Sequence, residues 1–186
     1  MTYFRRYRME MNLRDWSGSW DAPDMAARGY EWVAFDEGLV REHAAAKFQS
    51  FRSEMDADVF PCLGRRDGCL RLMREITSRA AFVPEATWLI RYRDRPGGRP
   101  IPVGTIQGLN LDDWGAVQNL GVVPEHRGNG IGRMLMMRSA AGFKSAGLER
   151  MHLEVTTANT HAVRLYERIG FRQAKVVYKA CEVAGV

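Results

Sequence analysis

Three glycines at alternate positions, Gly128, Gly130 and Gly132, form the stretch of this sequence that most clearly indicates chemistry. They follow Pro124, which ends an apolar strand-like run, and they lead directly into a segment with helical spacing of apolar residues. Glycine lets the backbone adopt positive φ and approach a ligand closely. The unpaired N–H groups and partial positive charge of a helix N-terminus favour phosphate, and Arg127 adds a cation beside them. The pattern therefore predicts a phosphate-binding loop.

Two common phosphate loops do not fit this segment. A Walker loop requires Gly-Lys-Ser/Thr, and no lysine is present at these glycines. A dinucleotide fingerprint requires Gly-x-Gly-x-x-Gly, but Arg133 or Leu135 stands where its last glycine belongs. Gly121 is a further clue, because a glycine inside an apolar strand often marks a bulge or a close backbone approach. We expect it to splay this strand from its parallel neighbour and to free backbone N–H groups for a ligand.

The glycine segment resembles the acetyl-CoA signature of the GCN5-related N-acetyltransferase (GNAT) superfamily, Gln/Arg-x-x-Gly-x-Gly/Ala. Residues 127–132 are Arg-Gly-Asn-Gly-Ile-Gly, and they follow Val-Val-Pro-Glu-His at residues 122–126. A second block typical of the superfamily lies at residues 159–171, Asn-Thr-His-Ala-Val-Arg-Leu-Tyr-Glu-Arg-Ile-Gly-Phe. The two blocks in this order and at this separation are strongly specific, and the resemblance covers about residues 88–183.

The resemblance implies an α/β fold: a single-domain mixed, mostly antiparallel sheet with helices on both faces, split into a V at a splayed parallel strand pair. It implies an N-acetyltransferase that moves acetyl from acetyl-CoA to a primary amine by direct nucleophilic attack. The cofactor-binding residues that it implies are Leu120, Val122, Val123, Arg127, Gly128, Asn129, Gly130, Ile131, Gly132, Asn159 and Tyr166. In this scheme the loop amides take the pyrophosphate, the backbone at 122–123 pairs with the pantetheine, and the Leu120 N–H polarises the thioester carbonyl.

Tyr166 is the predicted hydrogen-bond donor to the departing thiolate. It lies two helical turns after Asn159, roughly 10 Å along the same helix face. An unperturbed tyrosine near pKa 10 would protonate a thiolate near pKa 8.5 at a cost of about 2 kcal/mol. Hydrogen bonding to the sulfur is therefore the better role than proton transfer. The alternative is a core aromatic residue, because Ala162, Leu165 and Ile169 form an apolar stripe with it.

No general base can be assigned from the superfamily pattern. Several relatives carry Glu or His on the bulged strand, at positions that match Ala116 and Gln118 of this chain. Glu154, on the neighbouring strand, is the candidate catalytic carboxylate, with Glu125 and His126 further away. The alternatives are that Glu154 is a solvated or paired strand residue and that a water relay carries the proton to bulk solvent.

Two other functions stay open on the sequence. A non-catalytic module that binds or senses acyl-CoA is consistent with the missing strand base, although Tyr166 argues against it. A nucleotide-dependent oxidoreductase would require the dinucleotide fingerprint that is absent. The acceptor itself, a small-molecule or peptide amine, cannot be identified, because the first half of the chain carries no recognisable pattern.

The predicted elements agree with a mixed sheet. Strands are predicted over residues 30–35, 87–92, 101–109, 114–123, 151–155 and 174–183, and helices over residues 69–78, 130–146 and 160–169, with a further helix that Asp36 caps and that runs toward Phe51. The strand–helix–strand succession in the second half predicts a parallel pair with a right-handed crossover. Two strand-like runs flank residues 93–100, which predicts a long hairpin loop there.

The first 28 residues are predicted as an N-terminal extension or an edge strand. Tyr7 and Met9 begin an alternating apolar pattern, and Arg5, Arg6 and Arg8 would keep an exposed edge soluble. Binding of nucleic acid or of an acidic acceptor by these arginines is the less favoured alternative.

Composition sets the remaining limits. The 186 residues fit one domain, 1–186, and carry a formal net charge of +5, which is too mild to require nucleic acid. No metal site is expected, because Cys62, Cys69 and Cys181 lack ligand spacing and the histidines form no metal motif. With no secretory signal and no apolar run of membrane length, we expect a cytoplasmic protein that makes no membrane contact. The oligomeric state is open, a homodimer included.

Overall fold

The computed structural model describes residues 2–18 and 24–181, and their strands form a single mixed sheet. The strands are β1 (Thr2–Asn12), β2 (Tyr30–Ala34), β3 (Trp88–Tyr92), β4 (Ile101–Leu111), β5 (Trp114–Val122), β6 (Arg150–Thr156) and β7 (Arg172–Cys181). Their order across the sheet is β2-β3-β4-β5-β6-β1-β7. All neighbours are antiparallel except β5 and β6, which are parallel. The predicted fold class and parallel pair are therefore confirmed, and only positions 182–183 of the predicted last strand lie outside the described residues.

The helices cover both faces of the sheet. They are α1 (Val40–Phe51), α2 (Met55–Val59), α3 (Arg66–Thr77), α4 (Ile131–Ser145) and α5 (Thr160–Ile169). On β4, a Cβ at Gly108 would lie 2.7 Å from the Phe143 ring of α4, whereas Thr105 Oγ1 lies 2.8 Å from His43 Nδ1 of α1. Because alternate residues of a strand point to opposite faces, α4 covers one face and α1 the other. The sequence did not predict the short helix α2.

A β-bulge interrupts the pairing of β4 and β5. Two β5 residues, Asn119 and Leu120, lie opposite the single β4 residue Ile106. A bulge bends the strand and leaves one residue unpaired, as the glycine in this strand suggested. Gly121 itself has a packing role, because a Cβ there would lie 2.8 Å from Ser50 Cβ on α1.

The parallel strands β5 and β6 separate soon after they meet. Only two pairs join them, Gly115 with Met151 and Ala116 with His152. Toward the bulge the strands are unpaired, so the sheet opens into two arms, β2-β3-β4-β5 and β6-β1-β7. This opening is the predicted V, and both clefts described below border it.

The prediction of an edge strand at the start of the chain is wrong. β1 is an interior strand that pairs with β6 over residues 6–12 and with β7 over residues 2–10. Its arginines are stacked or paired within the molecule: the Arg6 guanidinium lies 4.8 Å from the Phe60 ring centroid, and Arg8 bonds Glu10 at 2.7 Å. The edge strands are β2 and β7.

No helix in the described part of the chain is long and apolar enough to cross a membrane. Within the same ranges, no group of three or more His, Cys, Asp or Glu side chains is arranged to hold a metal ion.

Candidate active site

The predicted phosphate loop lies between β5 and α4, next to the opening of the sheet. Gly128 and Gly130 adopt φ of +76° and +79°, a left-handed backbone that strains any residue with a Cβ. A Cβ at either position would meet nothing within 4 Å, so the loop borders open space. Among the described residues, no acceptor is found for the N–H groups of Gly128, Asn129 and Gly130. These amides, together with the N-terminus of α4, are arranged to bind an anion.

Arg127 braces this loop against α1. Its Nη1 lies 2.7 Å from Glu54 Oε1, its Nη2 donates to Ser50 O at 3.0 Å, and its Nε donates to Val122 O at 3.0 Å. Its backbone N–H donates to Pro124 O at 3.2 Å. The side chain and amide of Arg127 are therefore engaged within the protein, and the amides that lack an acceptor begin at the next residue.

A first cleft of about 420 Å³ extends from the loop along the bulged end of β5 to α5. Nine of the sequence-predicted cofactor residues line it: Leu120, Val122, Arg127, Gly128, Gly130, Ile131, Gly132, Asn159 and Tyr166. Val123 and Asn129 do not line it. The Val123 N–H donates to Val103 O at 2.9 Å, and the Asn129 side chain accepts from Arg28 and donates to the His126 carbonyl.

Tyr166 and Asn159 lie together at the inner end of this cleft. The Asn159 side chain caps α5 by accepting from the Ala162 N–H at 3.2 Å. Tyr166 is 9% exposed, and its ring lies edge-on to Phe171 at 6.0 Å. Burial, with the Asp56 carboxylate nearby, raises the pKa of Tyr166 well above its ordinary value. Its hydroxyl therefore stays protonated and can donate a hydrogen bond.

A second cleft, also of about 420 Å³, opens on the other side of this position. Glu154 lines it with its side chain 44% exposed, and Glu154 Oε2 lies 3.8 Å from Arg6 Nε. The Arg6 guanidinium also donates from Nη2 to the Glu154 carbonyl at 2.7 Å. Gln118 lines this cleft too, whereas Ala116 is fully buried in the core.

The two more distant candidate bases, Glu125 and His126, line neither cleft. They lie in a 3₁₀ turn at the end of β5, where Glu125 is exposed. His126 Nδ1 lies 3.0 Å from the Tyr30 hydroxyl, so its ring packs at the far end of the loop.

Asp56 is a functional candidate that the sequence analysis missed. It lies on α2, lines both clefts and receives a hydrogen bond from the Asn159 side chain. Burial raises the pKa of Asp56, and the positive charge of Arg6 partly opposes that rise. The only sequence signal was the acidic alternation of Glu54, Asp56 and Asp58, which is not specific.

A buried polar cluster behind the bulge was also missed. Lys47 is fully buried on α1, and its Nζ donates to Asn119 Oδ1 in the bulge at 2.9 Å. Burial lowers the pKa of Lys47 to about 7. On the same face, His43 Nδ1 lies 2.8 Å from Thr105 Oγ1, and Gln107 Nε2 donates to that hydroxyl at 2.5 Å. Burial and Lys47 lower the pKa of His43 to about 3, so its ring is neutral.

Comparisons with known proteins agree with this geometry. Residues 52–171 match the model of the acetyltransferase (GNAT) family. A mycothiol acetyltransferase from Nocardiopsis dassonvillei is 46% identical over 179 residues, which is 89% of this chain and 53% of that protein. The matched segments of two further mycothiol acetyltransferases cover smaller shares of those proteins. The chain therefore spans about half, or less, of the length of these curated relatives.

Solved structures share the fold. A GCN5-related N-acetyltransferase from Sphaerobacter thermophilus superimposes with a TM-score of 0.67 at 21% identity, over 96% of this chain and 50% of that one. An aminoglycoside N-acetyltransferase in complex with CoA superimposes with a TM-score of 0.56 at 14% identity, over 78% of this chain and 90% of that one.

Proposed function

Because the chain belongs to the acetyltransferase (GNAT) family, we propose that it transfers an acetyl group from acetyl-CoA to a primary amine by direct attack. The observation that carries this proposal is the first cleft, which joins a glycine loop at a helix N-terminus to a buried tyrosine hydroxyl. The anionic nucleotide end of a cofactor fits the glycine loop, and a thioester sulfur fits the tyrosine hydroxyl.

The residues of the first cleft fit acetyl-CoA. Unpaired amides from Gly128 to Gly130 and the first turn of α4 would take the pyrophosphate. The backbone of the bulged strand at Leu120 and Val122 would pair with the pantetheine arm, with the Leu120 N–H aimed at the acyl carbonyl. When bound, acetyl-CoA supplies the acetyl thioester. Arg127 contributes by holding the loop against α1 through its hydrogen bond to the Ser50 carbonyl, and against Glu54 just before α2 through the ion pair.

Tyr166 would donate a hydrogen bond to the sulfur as negative charge develops there. Its raised pKa makes full proton transfer costly and leaves the hydrogen bond as its contribution. Asn159 would contact the pantetheine arm from the start of α5. Glu154 faces the second cleft, where an acceptor would enter, and remains the sequence-based prediction for the catalytic carboxylate.

The acceptor belongs to a broad class, small-molecule or peptide amines. The relatives and neighbours described above include proteins named mycothiol acetyltransferase and aminoglycoside N-acetyltransferase. This range supports a small-molecule amine but does not single one out.

Substitution of Gly130 tests the cofactor site. In Gly130→Val the side chain projects into the space that the pyrophosphate would occupy, so acetyl-CoA affinity should fall at least about tenfold by titration calorimetry. Gly97→Val is the matched control, because Gly97 has φ +76° and an equally open Cβ position, in a loop away from the cleft. Both variants carry a similar backbone strain of about 1–2 kcal/mol. Only Gly130→Val should lose acetyl-CoA affinity.

Thiol release then tests the reaction. The wild type is mixed with acetyl-CoA and an alkylamine, an amino sugar, an amino acid or a short peptide, and free CoA thiol is measured. We expect release with at least one amine. Tight acetyl-CoA binding without release from any amine would favour the sensing module instead. Unchanged acetyl-CoA affinity in Gly130→Val would refute the assigned cofactor site.

A further inference from the structure

The two clefts meet at one small region of the molecule. Six residues line both of them: Phe51, Asp56, Leu120, Asn159, Ala162 and Tyr166. If the first cleft holds the acyl donor, the acceptor has to approach through the second, and the two substrates have to meet at these shared residues. A side chain that accepts a proton from the acceptor amine has to lie at this junction.

Only two of the six shared residues can titrate, Asp56 and Tyr166. The Tyr166 hydroxyl is held in its protonated form, so it donates and does not accept. Glu154 lines the second cleft but not the first, and its carboxylate is half-exposed to solvent. His152 also lines only the second cleft. Asp56 is therefore the one proton acceptor at the junction among the described residues.

We infer that Asp56 is a catalytic residue that binds the ammonium group of the acceptor and accepts its proton; this rests on the acetyl transfer proposed above. The acceptor class is then an amine that is charged at neutral pH, because a half-buried carboxylate at the junction favours a cation. No residue at this position was assigned a role from the sequence.

The surroundings of Asp56 suit this role. Its carboxylate is half-buried and forms no ion pair with any residue in ranges 2–18 and 24–181, so it can accept an external cation. The charged and titratable groups that face it are Arg6 of β1, Glu54 just before α2 and Tyr166 of α5. Burial strengthens the carboxylate as a base by raising its pKa, while Arg6 favours its ionised form.

The protons and atoms balance as follows. The acceptor enters as R–NH₃⁺ and gives one proton to the Asp56 carboxylate. The nitrogen lone pair forms the C–N bond to the acetyl carbon, and the C–S bond breaks. The second proton of the nitrogen goes to the departing sulfur, which yields the CoA thiol and R–NH–acetyl. Asp56 then releases its proton to water through the second cleft.

The test compares Asp56→Asn with the wild type in thiol release, using acetyl-CoA and the amine from the panel that the wild type acetylates fastest. Asp58→Asn is the matched control, because Asp58 is an exposed carboxylate on the same helix. Asp56→Glu restores the charge one methylene further out. Glu154→Gln is run beside them. Acetyl-CoA affinity is measured for every variant, because it reports on an intact first cleft.

We expect Asp56→Asn to lower kcat/KM at pH 7 by at least about a hundredfold, the lower range for loss of a general base. Acetyl-CoA affinity should stay within about twofold, and Asp56→Glu should recover part of the rate. The pH profile is the sharper readout. Without a base, the rate of Asp56→Asn should rise about tenfold per pH unit from pH 7 to 9, following the neutral fraction of an amine near pKa 10.4. The wild type should vary far less.

Three outcomes would overturn the inference. The first is an Asp56→Asn rate within about threefold of wild type, or a pH profile parallel to it. The second is loss of acetyl-CoA binding in both Asp56 variants, which would make Asp56 structural. The third is a large loss of rate in Glu154→Gln without one in Asp56→Asn, which would make Glu154 the general base. In all three the wild type still acetylates amines, so the proposed function stands. A wild type inactive toward every amine would remove both.

Discussion

The buried lysine behind the bulge leads to a quantitative prediction for Lys47→Met. The pKa of Lys47 falls from its ordinary 10.5 to about 7 in the folded protein. At about 1.4 kcal/mol per pH unit, the charged form costs the folded state up to about 5 kcal/mol. Methionine removes that cost but also the hydrogen bond from Lys47 to the half-buried Asn119, and a hydrogen bond to a charged group contributes about 1.5–3 kcal/mol. We therefore expect Lys47→Met to be about 2 kcal/mol more stable at pH 7.

The sign of the pH dependence follows from proton uptake. Between pH 7 and 10.5 the unfolded chain keeps a proton on Lys47 that the folded chain lacks, so the free energy of unfolding rises with pH. The cost is complete below about pH 7 and absent above 10.5. From pH 7 to 8.5 the wild type should gain about 2 kcal/mol from this residue. Lys47→Met should lack this gain.

Urea unfolding followed by tryptophan fluorescence at pH 7, 7.5, 8 and 8.5 measures both quantities. The pH range stops at 8.5 because Cys69 would add a second pH dependence above it. Burial raises the pKa of Cys69 to about 11 in the folded protein. In the unfolded chain this thiol would ionise near pH 9, so the free energy of unfolding would fall from there on. Lys175→Met, at an exposed position of β7, is the control and should follow the wild-type slope. Equal slopes for Lys47→Met and wild type would refute the reasoning.

Two further predictions follow from the cleft and the packing around it. Tyr166→Phe should lower turnover at least about tenfold while acetyl-CoA affinity stays near wild type, because only the hydrogen bond to the sulfur is lost. Tyr178→Phe, at an exposed position, is the control and should keep the wild-type turnover. Unchanged turnover in Tyr166→Phe would mean that Tyr166 has only a packing role. Gly121→Ala should destabilise the protein by about 1–3 kcal/mol in urea, because its Cβ overlaps Ser50. Gly64→Ala, whose Cβ would have ordinary contacts, should be tolerated, and equal stabilities for the two would contradict the packing argument.

Local patterns predicted the second half of the fold well. The glycine loop and α5 each depend on signals in one short segment, the glycine spacing in the first case and the helical stripe around Tyr166 in the second. The predicted helix over 160–169 has the observed bounds, and α4 begins one residue after its predicted start. The parallel pair was predicted from the strand–helix–strand succession, and its splay from Gly121 and from the family resemblance.

The features that were missed depend on distant parts of the chain. The alternation of apolar and polar residues in β1 does not show whether one or two strands pair with it. One of its partners is β6, and the hydrogen-bonded residues Arg6 and Glu154 of the two strands are 148 positions apart in the sequence. Asp56 lies on a helix of five residues, too short for a periodic signal. Lys47 is the kind of residue expected on a helix surface, and only the packing of α1 against the bulge shows that it is buried.

The interior position of β1 bears on how the protein folds. The arm β6-β1-β7 is joined by contacts between segments far apart in sequence, and closing such long loops is slow because the entropy is lost before the contacts are gained. In the other arm, β3, β4 and β5 follow one another in the chain and are joined by hairpins, so we expect these three strands to form earlier. Since residues of both arms line the second cleft, competence for the proposed acetyl transfer should be the last property acquired during refolding, after most of the helical signal has returned.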